Sequence, residues 1–74
     1  MPSKNLILMN FKAMINTLTL ARMQQGLALQ KVADELLISK VTVHLWEQHK
    51  YKPRYDQFIE WAQFLKVDLN ELIK

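Results

Sequence analysis

Residues 38–53, "ISKVTVHLWEQHKYKP", contain start and stop signals for one short helix. Ser39 is the expected N-cap, and Ile38 before it can staple against Val43, four positions into the helix. The helix is predicted to end near Gln48, and "HKYKP" then reads as a loop, because Pro53 pushes Lys52 out of the helical region. At about 100° per residue, Val43 and Trp46 share one side, while Val41, Leu45 and Gln48 lie roughly opposite with Lys40 and His44 beside them. The helix is therefore apolar on two faces. A core accounts for one of them, and the other needs a partner or a cover.

Working outward, the spacing predicts further helices on both sides. The first covers about residues 10–25, with Phe11, Ile15, Leu18 and Arg22 at steps of three and four, and Gly26 ends it. The second, about 29–37, turns Val32, Ala33 and Leu36 inward. A helix over about 55–66 presents Phe58, Ile59, Ala62 and Leu65. In the terminal "VDLNELIK", Asp68 caps, Glu71 reaches back and Val67 staples to Leu72, which marks a fifth helix. Residues 1–9 read as an N-terminal extension to a domain over 10–74. Their "NLILM" can extend the first helix, form a short strand, or lie on a partner.

The chain has 74 residues, enough for one domain near the lower limit for an unstapled core. It has no cysteine, so neither disulfides nor thiolate-bound zinc can brace it, and a reducing, cytoplasmic setting fits. Half of the residues are hydrophobic, with one Gly and two Pro, a composition suited to packed helices. Ten basic against seven acidic residues give a net charge of +3, a mild lean toward a polyanion. The longest apolar run near the start, Leu6 to Met9, is too short for a membrane span or a signal-peptide core.

The second and third predicted helices are joined by one tight turn at Leu37 and Ile38. Ala33, Leu36, Ile38, Val43 and Trp46 form their common core, and the small Ala33 lets the third helix cross closely. At this point "RMQQGLALQKVADELLISKVTVHLWEQHKYKP" followed by "FIEWAQFLKVDLNELI" resembles the Cro/repressor-type (XRE) helix-turn-helix family. The resemblance covers about residues 18–73. It implies an all-α, five-helix domain that binds double-stranded DNA in transcriptional control, in a phage, plasmid or bacterial setting, with residues 39–48 as recognition helix.

The resemblance also implies that Arg22 pairs with Glu47 at the close of the recognition helix. A guanidinium gripping a carboxylate with two hydrogen bonds would fix the two helices against each other. Lys40, Val41, His44, Leu45 and Gln48 would face the bases, and Lys50, Tyr51, Lys52 and Arg54 would hold phosphates beside the N-terminus of the next helix. Four positions depart from the family pattern. Ala28 and Leu29 stand where a Thr–Gln pair usually opens the second helix, Leu37 replaces a usual turn glycine, and His49 replaces another.

The departures keep a second function open. Leu29, Val41 and Leu45 could form an apolar face that binds another transcription factor, as in antirepressors that retain this fold. A third reading, behind the other two, leaves them as scattered exposed hydrophobes or covers them with residues 1–9. The basic loop favours DNA: residues 40–54 hold four Lys/Arg and a single acid, Glu47. DNA binders of this size normally pair to gain affinity, which leaves a homodimer open. Other chemistry has little support. His44 and His49 lie five apart with no cysteine near, Asp34 with Glu35 reads as a solvated face, and the four methionines read as core filler. No phosphate-cradling glycine loop or nucleophile–base pair is present, so neither an enzyme, a metal nor a cofactor is expected.

Overall fold

Four helices follow one another in the computed structural model, which describes residues 4–68, with side chains from Phe11 onward. They are α1 (Lys4–Gln24), α2 (Leu29–Leu36), α3 (Lys40–Glu47) and α4 (Tyr55–Phe64), and no strand occurs among the described residues. α3 packs on α2 and α1, and α4 packs on α2. The partners expected for Asp68 and Val67, Glu71 and Leu72, lie outside the described residues, and so does the expected fifth helix. Among the described residues the fold is all-helical with four helices.

α1 begins at Lys4, six residues before the start expected from its apolar spacing. Nothing between Lys4 and Asn10 breaks a helix: the segment has no Gly or Pro and includes strong helix formers. Of the three options open for "NLILM", the backbone takes the first and continues α1.

The core is built from Ile15 and Leu18 of α1, Val32 and Ala33 of α2, Val43 and Trp46 of α3, and Phe58, Trp61, Ala62 and Leu65 in and just after α4. Leu36 and Ile38 pack against it from the α2–α3 turn. Trp61, fully buried, is the largest enclosed side chain. Its ring sits 5.4 Å from that of Trp46 at a tilt of 39°, an arrangement that suits the quadrupoles of two aromatic faces. The inward stripe of α4 is thus Phe58, Trp61, Ala62 and Leu65, at steps of three, one and three. Ile59, which the spacing also offered, is only half-buried.

All four helices close with one backbone device. After α1, Gly26 N–H donates to Met23 O and Leu27 N–H donates to Arg22 O, both at 3.0 Å. This paired closure needs a left-handed residue, and Gly26 supplies it at φ +69°. The same two-bond pattern follows α2 through Leu37 and Ile38, α3 through His49 and Lys50, and α4 through Lys66 and Val67. There the left-handed positions are filled by Leu37 (φ 58°), His49 (φ 60°) and Lys66 (φ 60°). A side chain in that conformation costs roughly 1–2 kcal/mol. Three of the four closures therefore store strain that glycine would relieve.

Candidate nucleic-acid interface

α3 is set in place from both ends. At its start, Ser39 Oγ accepts Thr42 N–H at 3.1 Å and lies 2.8 Å from Thr42 Oγ1. At its end, Glu47 takes a two-point grip from α1: Arg22 Nε donates to Oε2 at 2.7 Å and Nη2 donates to Oε1 at 3.1 Å. Arg22 Nη1 donates further to Leu27 O at 2.7 Å, so one guanidinium ties together α1, the loop after it and α3. The two side chains are only 15% and 5% exposed. With its carboxylate committed inward, Glu47 puts no free negative charge on the outer surface of α3.

The outward face of α3 carries Lys40, Val41, His44 and Gln48, all exposed. Val43 and Trp46 point the other way, into the core. Leu45, expected on the outward face, is half-buried. Leu29 packs partly against the core, in place of the polar contact that the family resemblance implies at this position. Ala28, just before α2, offers no side-chain cap to the first-turn amides. Of the three residues expected to make an apolar face, only Val41 stands free in solvent, at 63% exposure.

The loop after α3 is wrapped back onto it. The carbonyl of Leu45 accepts two backbone N–H groups, Lys50 at 2.9 Å and Tyr51 at 3.3 Å. His49 is anchored to α1 through its Nε2, 2.9 Å from Asn16 Oδ1. Lys52 Nζ lies 5.2 Å above the ring of Phe11, within the range of a cation–π contact. Pro53 is buried beneath the loop, while Lys50, Tyr51, Lys52 and Arg54 are exposed around it. Arg54 N–H donates to Gln57 Oε1 at 3.1 Å, capping the start of α4, and its Nε sits 3.5 Å from Asp56 Oδ1. That last pair is solvent-exposed and contributes little stability.

Local structure thus brings Lys40, Val41, His44 and Gln48 together on one helix face. It sets Lys50, Tyr51, Lys52 and Arg54 on a loop fastened to that helix. Two supporting contacts are not legible in the sequence: Asn16 holds His49, and Phe11, placed by its spacing only on the apolar stripe of α1, lies under Lys52. Both contacts span more than thirty positions of chain, and no local pattern marks either pairing. Among the described residues, no group of His, Cys, Asp and Glu is arranged to hold a metal ion.

No curated protein and no solved structure matches the chain. A family model does, that of the helix-turn-helix, over residues 18–72. The matched span runs from the middle of α1 past α4. It takes in the Arg22–Glu47 pair, the α2–α3 turn and the basic loop, and it covers well over half of the 74 residues. By that match, this chain belongs to the Cro/C1-type (XRE) helix-turn-helix family of DNA-binding regulators.

Proposed function

We propose that the protein is a sequence-specific, repressor-like transcriptional regulator that lays α3 in the DNA major groove. One observation carries this reading: the exposed face of Lys40, Val41, His44 and Gln48 adjoins a basic loop hydrogen-bonded to the same helix. Lys40 and His44 donate to guanine O6 and N7, Gln48 suits adenine, and Val41 packs on a thymine methyl. Lys50, Tyr51, Lys52 and Arg54 meet phosphates and set the register. Leu45 contributes its outer edge, and two copies on adjacent half-sites would supply the affinity one small domain lacks.

A protein-binding role for the same helix would need an apolar face of some size. The inward packing of Leu29 and the partial burial of Leu45 leave Val41 nearly alone on that surface, which supports DNA over an antirepressor partner. The test is a mobility shift on duplexes selected from a random pool, beside the DNA flanking the protein's own coding region. Enrichment of one motif is expected. A pool that stays random at low salt would sink the proposal.

A further inference from the structure

The basic loop does more than face outward: it forms one wall of a cavity. A recess of about 240 Å³ lies between α1 and the end of α3, lined by Phe11, Lys12, Ile15, Trp46, His49 and the 50–52 loop. Its floor is apolar, with Ile15 and Trp46 belonging to the core at 1% and 3% exposed. Its rim carries Lys12, Lys50 and Lys52, and no carboxylate lines it. That combination selects a molecule with a small apolar or aromatic body and one negative charge. The volume falls below the roughly 300–1,000 Å³ typical of drug-sized ligands, which limits the body to a single ring or short chain.

We propose that this recess is an effector site for a small aromatic or aliphatic carboxylate, and that its occupation weakens DNA binding. The body rests on Phe11, Ile15 and Trp46, displacing the Lys52 ammonium from above the Phe11 ring. The carboxylate then pairs with lysines of the rim. Lys50 and Lys52 cannot serve the ligand and a DNA phosphate equally well at once, so the two binding events compete. The reciprocity of linked equilibria requires DNA to weaken ligand binding by the same factor. This coupling rests on the DNA-binding reading above, whereas the ligand site itself does not.

The test uses the full chain and phenylacetate as probe, with phenylacetamide as its neutral counterpart and inorganic phosphate as a bare anion. Titration followed by amide and indole NMR signals should show saturable shifts at Trp46, Lys50 and Tyr51. The expected dissociation constant is on the order of a millimolar for a ligand of this size. Phenylacetamide and phosphate should each bind several-fold more weakly. Lys12→Ala, outside the proposed DNA contacts, should weaken phenylacetate several-fold and leave DNA affinity without ligand unchanged. Saturating phenylacetate should lower DNA affinity several-fold and flatten its salt dependence by about one contact. No saturable shift, shifts centred elsewhere, or equal binding of the amide or of phosphate would overturn the site. Binding at the site with unchanged DNA affinity would overturn the coupling. If no DNA sequence is bound at all, the functional reading and the coupling fail together, while the ligand titration still decides the site.

Discussion

Arg22 and Glu47 stand twenty-five positions apart in the chain and meet through two hydrogen bonds of 2.7 and 3.1 Å, in a pocket that leaves the carboxylate side chain 5% exposed. The pair clamps α3, the helix proposed to read DNA, onto α1. Removing one member strands the other charge away from water, which typically costs about 3–5 kcal/mol. Arg22→Met or Glu47→Leu alone should therefore lower stability by about 3 kcal/mol, and the double variant by less than the sum. Urea unfolding of the four proteins checks this. Strictly additive losses in the double-mutant cycle would show that the two side chains are not coupled.

Leu37 is 91% exposed and sits at φ 58°, so its side chain adds left-handed strain with almost no burial in return. Leu37→Gly should raise stability by about 0.5–1 kcal/mol, the strain relieved less the extra backbone entropy of glycine. His49→Gly makes a useful contrast. It relieves the same strain at φ 60° but deletes the Nε2 contact with Asn16, so it should be neutral or destabilising. Thermal melts of both variants are enough to decide. A loss of stability in Leu37→Gly would mean that the leucine makes a contact worth more than its strain.

Lys50 and Lys52 are exposed on a loop whose backbone is pinned to the Leu45 carbonyl, with the Lys52 ammonium resting over the Phe11 ring. On the proposed function, changing either to Ala should weaken binding to all DNA sequences alike. It should also reduce the slope of log affinity against log salt by about one. Fluorescence anisotropy at several salt concentrations gives the slope directly. Loss of discrimination between sequences, with the slope intact, would move these lysines from phosphates to bases.

Val41 and Leu45 separate folding from recognition. Val41 projects into solvent, so Val41→Asp should leave stability within about 0.5 kcal/mol while abolishing DNA binding, because a carboxylate would enter the groove. Leu45 is half-buried, and Leu45→Asp should lower the melting temperature as well. Val41→Gln is the informative change: on a base-reading helix it keeps binding and shifts the preferred base toward adenine. Unchanged base preference in Val41→Gln would place the side chain away from the bases.

Much of this fold is written locally, and that part is legible from residue order alone. Ser39 ahead of "KVTVHLWE" marks the start of α3, Gly26 marks the end of α1, and Ala33, Val43 and Trp46 mark the inward sides of α2 and α3. These signals act within a turn or two of the chain, where helix periodicity and capping chemistry are set. The family resemblance could add Arg22 with Glu47, because a bidentate pair needs two specific residue types.

Tertiary structure decided the rest. A helical wheel ranks directions around one axis, but it does not say how much of each direction the neighbouring elements cover. Leu45 and Leu29 therefore looked as available as Val41 until packing partly covered both, the second against the core. Trp61 was overlooked for the same reason, since its place in the centre depends on Trp46 arriving from another helix. The anchoring of His49 by Asn16, the seat of Lys52 on Phe11 and the recess between them depend on where α1 lies against the loop. No short-range pattern encodes that placement, because it is fixed by how the whole set of apolar stripes packs into one volume.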